Sequence, residues 1–250
     1  MNVLLFGGTT EGRTLSRELA DHGLPVTVCV ATEYGAEKQG TYPGITVRTG
    51  RKDPDAIRAL LTEDTLLVDA THPYATEVTR NLKEVAGACG VPYFRLCREQ
   101  SEIPASAHVF SSACEVADAL QETEGKILLT TGAKELPDFL DLPLSRLYVR
   151  VLPDAENIRN LSEMGFSHRQ ILAMEGPFSE ELNVALLHQF HIRHLVTKDG
   201  GPAGGFPEKA AAAEKTNTGL YVIRGPEDPG LSYEAVRDEC LRRKEESPCT

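Results

Sequence analysis

Apolar residues along this chain fall into short continuous runs, and stretches with a helical apolar period lie between them. NVLLF is the first run and reads as a buried strand. TEGRTLSRELADHG follows, with Leu15 and Leu19 on one helical face and Gly23 where a helix stops. LPVTVCVAT and ITVRTG are the second and third strands, DPDAIRALL a helix and TLLVDAT a fourth strand. YATEVTRNLKEVAGACG is a helix that turns Val78, Leu82 and Val85 inward and ends at Gly90, and VPYFRL is a fifth strand. Strands that are apolar throughout, rather than at alternate positions, must be covered on both faces. In alternation with helices they predict a parallel sheet.

The cycle breaks at SEIPASAH, which is polar, carries Pro104 and has no apolar period. A boundary there divides the chain into residues 1–104 and 105–250. KILLTTGAKEL then restarts the plan of NVLLFGGTTEG: strand, Thr/Gly turn, helix. RLYVRVLP, RQILAMEG, RHLVTKDGG and LYVIRG are further strands. DAENIRNLSEMG, SEELNVALLHQF, FPEKAAAAEKTNTG and YEAVRDECLRRKEE are helices, and the tail SPCT is expected to fray. The expected architecture is α/β, with two Rossmann-like doubly wound parallel-sheet domains of ordinary domain size and the active site in the cleft between them.

Composition adds constraints. Of 250 residues, 41% are hydrophobic and 25% charged, the balance of a soluble globular protein. A net charge of -11 argues against nucleic acid or an anionic membrane as partner, but leaves room for an anionic small molecule held by local cations and helix N-termini. Cys29, Cys89, Cys97, Cys114, Cys240 and Cys249 show no metal-ligand spacing, and no metal is expected. Cys29 sits inside a strand pattern as a small buried hydrophobe. With no signal-peptide pattern and no apolar run of membrane length, a cytoplasmic protein with reduced thiols is expected. The oligomeric state is left open.

The candidate chemistry lies at strand ends. GGTTEG, residues 7–12, follows the first strand and opens a helix, where free N–H groups and the helix dipole favour a phosphate. Gly7 and Gly12 fit the outer glycines of G-x-G-x-x-G, with Thr9 in the middle position. Glu33 follows the second strand, where an acid can take a ribose hydroxyl, and would repel a 2′-phosphate that Arg51 could meet. DATHPYA, residues 69–75, ends the fourth strand; Pro73 biases His72 toward an extended backbone that aims the imidazole outward, unless Asp69 and Thr71 serve only to cap the next helix. TTGAKEL and MEGPFSEE offer further helix starts, and TKDGGPAGGFPEK, residues 197–209, brings four glycines and two lysines to one loop. That loop suits a carboxylate or phosphate. His188, His191 and His194 lack a completing carboxylate or cysteine and read as cations at a helix C-terminus. Tyr34-x-x-x-Lys38 falls too early for a dehydrogenase catalytic helix and is taken as chance.

Taken in order, GGTTEGR, VTVCVATEYG, DATHPYA, VPYFRLCRE, LLTTGAKEL, VRVLP, AMEGPFS, TKDGGPAGGFPEK and YVIRGP make this chain resemble the precorrin-6A reductase family of cobalamin biosynthesis. The resemblance covers nearly the whole length. It departs at TKDGG, where a serine is expected beside the first glycine. It implies a two-domain enzyme that uses NADPH or NADH to reduce a ring double bond of precorrin-6A, or of its cobalt form, to the 6B product. The cofactor would then lie against Gly7, Gly8, Thr9, Thr10, Glu11 and Gly12. Thr32, Glu33, Gly50 and Arg51 would meet its ribose end, and Thr71, His72 and Pro73 its nicotinamide end, with His72 positioning the ring or relaying a proton. The substrate, an anionic tetrapyrrole derivative, would meet Tyr74 and Arg95 in the first half. In the second half it would meet Thr131, Gly132, Lys134 and Arg150, then Gly176, Pro177 and Phe178, then Lys198, Gly204, Gly205 and Lys209, with Arg98 a further counter-charge. Another Rossmann-type NAD(P)-dependent reductase or epimerase, or a non-catalytic dinucleotide sensor, stays open on the residues alone.

Overall fold

The computed structural model describes residues 1–97, 101–225 and 229–246. The chain divides into two compact units, Met1–Arg98 with Glu227–Thr250, and Glu99–Pro226. The first holds β1 (Asn2–Phe6), β2 (Val26–Val30), β3 (Ile45–Thr49), β4 (Thr65–Asp69) and β5 (Tyr93–Arg95) in the order β3-β2-β1-β4-β5, every described pairing parallel. Its helices are α1 (Thr10–Asp21), α2 (Glu33–Gln39), α3 (Pro54–Arg58) and α4 (Thr76–Cys89). Cores form on both faces of the sheet. Val3, Leu5 and Val28 pack with Leu15 and Leu19 of α1; Leu4, Phe6 and Leu67 pack with Leu82 and Val85 of α4. That is why β1 is apolar without alternation.

The second unit holds β6 (His108–Phe110), β7 (Lys126–Leu129), β8 (Leu147–Val151), β9 (Ile171–Ala173), β10 (Ile192–Lys198) and β11 (Gly219–Ile223) in the order β6-β11-β10-β7-β8-β9, again parallel. Between its strands run α5 (Ala113–Gln121), α6 (Ala155–Glu163), α7 (Glu180–Gln189) and α8 (Phe206–Lys215). Read from β9 to β11, this sheet repeats the strand order of the first unit and adds β6 at its edge. The restart seen in KILLTTGAKEL is thus the equivalent of β1, with one difference: Ala133–Phe139 is a 3-10 turn, not an α-helix, with Pro137 inside it. Pro137 removes one donor that an α-helix would use. α2, β6 and α5 lie outside the periodic reading altogether.

The C-terminal helix α9 (Tyr233–Glu246) corrects the expected division after residue 104, which gave it to the second half. It packs on α1: Val236 and Cys240 are fully buried in the core of Val3, Leu15 and Leu19, and the Tyr233 hydroxyl donates to Glu18 at 2.5 Å. Arg98, Cys249 and the tail SPCT lie outside the described residues.

Candidate active site

In the first unit the chain winds from β1 outward to β3, then returns to the other side of β1 with β4. The switch point therefore lies at the carboxyl ends of β1 and β4, where open α/β sheets bind ligands. GGTTEG leaves β1 and DATHPYA leaves β4, so the two expected motifs meet at this one place. Thr9, in the position of the middle glycine, is the N-cap of α1. Its Oγ1 accepts from the Gly12 N–H and donates to the Ala70 carbonyl, both at 3.0 Å. A Cβ on Gly12 would stand 2.7 Å from the Ala70 Cβ, so glycine lets α1 approach β4 closely. Gly8 has φ 135°, and a Cβ there would enter open space. These are the demands of a phosphate turn: a backbone conformation suited to glycine, room in front of it, and a helix N-terminus behind it.

Asp69 and Thr71 do not cap α4, whose N-cap is Ala75 with no side-chain capping bond. Asp69 is instead a fully buried carboxylate whose Oδ1 meets Arg95 at 2.6 Å, accepts from the Thr71 hydroxyl at 2.7 Å, and accepts from the Thr71 N–H at 3.1 Å. The Tyr93 hydroxyl donates to Oδ2 at 3.0 Å. Arg95, expected among the substrate counter-charges, is 5% exposed and its charge is matched by Asp69. The network pins the start of the loop that carries His72. The His72 ring stacks on Tyr74 at 5.5 Å, its Nδ1 accepts from the Tyr74 N–H at 3.4 Å, and its carbonyl accepts from Ala75. The neutral tautomer consistent with that contact carries its proton on Nε2.

Glu33 is not an extended strand-end acid. It is the first residue of α2, exposed, behind the N-cap Thr32. Tyr34 and Lys38 lie on the same helix, the ammonium 5.5 Å from the ring centre, as a surface pair. The register Val30↔Thr49 sets Gly50 and Arg51 beside this region. Gly50 turns the chain at φ 98°, Arg51 is exposed, and Lys52 donates to the carbonyls of Thr49 and Gly50 at 2.9 Å. Lys52 escaped the sequence reading, although its place in RTGRKD was visible. Burial pushes the Cys29 thiol up to about 11, so it stays protonated, as a core hydrophobe should.

In the second unit the switch point lies at β7 and β10, and TTGAKEL and KDGGPAGG leave those two strands. Thr131 is buried, Gly132 turns at φ 87°, and Lys134 is exposed. Lys198 pairs with Glu135 at 2.5 Å, which makes it a partnered lysine and not a bare counter-charge. Asp199, in the place where serine was expected, accepts from the Gly201 N–H at 3.3 Å. A Cβ on Gly205 would meet Pro177 at 3.4 Å, so the loop after β9 adjoins the glycine loop; Gly204 is exposed. A Cβ on Gly176 would meet the Phe178 ring at 3.0 Å. Arg150 lies over that ring at 4.4 Å and donates to Asn183 Oδ1 at 2.8 Å. Lys209 is not a surface loop lysine: it is buried in α8 and donates to Thr197 Oγ1 at 2.9 Å. Burial, with Arg150 nearby, lowers its pKa to about 8. Asn183 and Thr197 were not singled out from the sequence, although an asparagine on the buried face of a helix such as α7 was a usable signal. His188, His191 and His194 fall in the last turn of α7, a left-handed turn residue and β10, and His194 bonds the Glu124 carbonyl. Among the described residues no group of three His, Cys, Asp or Glu is placed to hold a metal, and no helix is long and apolar enough to cross a membrane.

Comparison with known proteins bears on the family and the fold. A cobalt-precorrin-6A reductase of Salmonella typhimurium is 35% identical over 231 residues, covering 90% of this chain and 88% of that protein. One from Methanothermobacter thermautotrophicus is 34% identical, covering 94% and 80%. A precorrin-6A reductase of Mycobacterium tuberculosis is 33% identical, covering 80% and 79%. The solved structure of CobK precorrin-6A reductase superposes with a TM-score of 0.77 over 97% of each chain at 22% identity, a likeness of fold. The family model described as precorrin-6x reductase CbiJ/CobK matches residues 2–241, and this chain belongs to that family.

Proposed function

We propose that this protein reduces a ring double bond of precorrin-6A, or of cobalt-precorrin-6A, to the 6B form in cobalamin biosynthesis, with NADPH as the favoured reductant. Family membership supports the reaction. The observation that carries the cofactor assignment is the meeting of the Gly8 turn with the His72 loop at the β1/β4 switch point. Bound there, the nicotinamide supplies the hydride.

The protein's work is to orient and to exclude water. Gly8 leaves space for a pyrophosphate at the N-terminus of α1, flanked by Thr9, Thr10 and Glu11. Thr71, His72 and Pro73 stand where the chain leaves β4 toward the reacting end. Arg51 and Lys52 at the end of β3 favour a 2′-phosphate, which supports NADPH over NADH. The loops of the second unit, with Thr131, Gly132, Lys134, Gly176 and Phe178, take the macrocycle. The proton for the carbon next to the hydride acceptor is relayed from solvent by His72, which is reprotonated by water, or comes from water directly.

The test follows absorbance at the nicotinamide band with the purified protein, both macrocycles and both cofactors. Turnover faster with NADPH is expected. No turnover with either macrocycle sinks the reading. His72→Asn tests the residue: a fall in kcat of about 100-fold or more, with a solvent deuterium isotope effect on kcat that differs from the wild type, marks His72 as the proton relay; a fall with the isotope effect unchanged marks it as positioning the ring, and an unchanged kcat leaves the proton to water.

A further inference from the structure

Among the described residues, the second unit holds two buried cations, Arg150 and Lys209, with no carboxylate at ion-pair distance. Arg150 is 7% exposed, and its hydrogen-bond partner is the neutral Asn183 amide. Lys209 is 9% exposed, and its partner is the neutral Thr197 hydroxyl. Elsewhere the same chain treats such groups differently. Buried Arg95 has Asp69 at 2.6 Å, and half-buried Lys198 has Glu135 at 2.5 Å. A buried charge without a counter-ion is costly, and folds usually pair it.

The two cations share one place. Leu129 stands opposite both Val149 and Val196, so the next rung carries Arg150, Thr130 and Thr197 in a row at the carboxyl edge of the sheet. Lys209 reaches the end of that row from α8. The groups facing Lys209 are Arg150, which disfavours its charge, and Glu208 and Asp199, which favour it without reaching ion-pair distance. Thr131, one residue beyond the row, has a buried Oγ1 with no partner. The loops that carry Pro177 and Gly205 adjoin beside it.

We infer that Arg150 and Lys209 form a preorganised subsite for a single carboxylate of the substrate, which rests on the reductase reading above. A carboxylate there supplies the charge the fold lacks, and the planar guanidinium and the ammonium give it charge-assisted bonds. Arg150 and Lys209 are therefore binding residues, and their function sets a burden on the empty protein.

Lys209→Met and Arg150→Met test this, because each removes a buried charge and keeps apolar bulk. Each should raise the melting temperature of the empty enzyme and raise KM for the macrocycle about tenfold or more, with Kd for NADPH unchanged. In the wild type, KM should rise as pH passes about 8 and Lys209 loses its proton. Citrate serves as an independent polycarboxylate probe, expected to raise the wild-type melting temperature and to leave the variants unmoved. Lower melting temperatures with unchanged KM would show the pair to be structural and overturn the proposal. Equal stabilisation by citrate of wild type and variants overturns it as well. A wild type that turns over neither macrocycle, yet is distinguished from the variants by citrate, refutes the reductase reading and leaves the anion subsite standing.

Discussion

Asp69 and Lys209 show opposite ways of burying a charge. Asp69 is satisfied by Arg95, Thr71 and Tyr93, so Asp69→Asn breaks the buried ion pair with Arg95. A loss of about 3–5 kcal/mol is expected, measured by urea unfolding, together with weaker nicotinamide binding because the His72 loop loses its anchor. Lys209 has a folded pKa of about 8, below its ordinary 10.5. Below pH 8 it is charged in the folded and unfolded states alike, and the full penalty of burial acts on the fold. Between about 8 and 10.5 the unfolded chain binds a proton that the folded one does not, so stability from this site rises with pH. The gain is roughly 3 kcal/mol across the window. Unfolding of wild type and Lys209→Met at pH values through that window isolates it: the difference between them should shrink as pH rises, and a constant difference would contradict the assignment.

At the scale of elements, the contact between α1 and the end of β4 shapes the glycine turn proposed to hold the cofactor. Gly12 faces Ala70 so closely that an added methyl group would sit at 2.7 Å. Gly12→Ala should push α1 away from β4 and cost about 1–3 kcal/mol. Because Thr9 ties the same two elements together, cofactor affinity should fall with it, as calorimetric titration would show. Unchanged stability and affinity would mean that the helix shifts at no cost. The glycine spacing was legible as a motif after a strand, although the atoms that require the outer glycines, Val28 beside Gly7 and Ala70 beside Gly12, lie far along the chain. The role of Thr9 was not, since its second bond goes to a carbonyl 61 residues away. α2 was missed for a related reason. Its seven residues, EYGAEKQ, bury only Gln39, so no apolar period marks the helix.

For the molecule as a whole, the C-terminal helix decides where one unit ends. Val236 and Cys240 are 0% exposed within the core of the first unit. Deleting residues 227–250 should uncover Leu15 and Leu19, abolish cooperative unfolding of the first unit and remove cofactor binding. Hydrogen exchange should find the amides of β7, β8 and β10 still protected in the truncated chain. Loss of protection there instead would tie α9 to the second unit's stability.

The parallel α/β class, the repeated strand-turn-helix plan and the places of the glycine turn after β1 and the His72 loop after β4 were set by the sequence itself. Continuous apolar strands, helical periods and glycines beside strand ends act over a few residues, and such short-range signals survive in one dimension. Tertiary structure decided the pairing of charges. Arg95, Arg150, Lys198 and Lys209 look alike as cations near strand ends, yet the first and third form ion pairs with carboxylates and the other two donate hydrogen bonds to neutral groups. Which carboxylate reaches which cation depends on sheet register and helix packing between distant segments. The electrostatic work of burying each charge therefore exists only once the fold has formed.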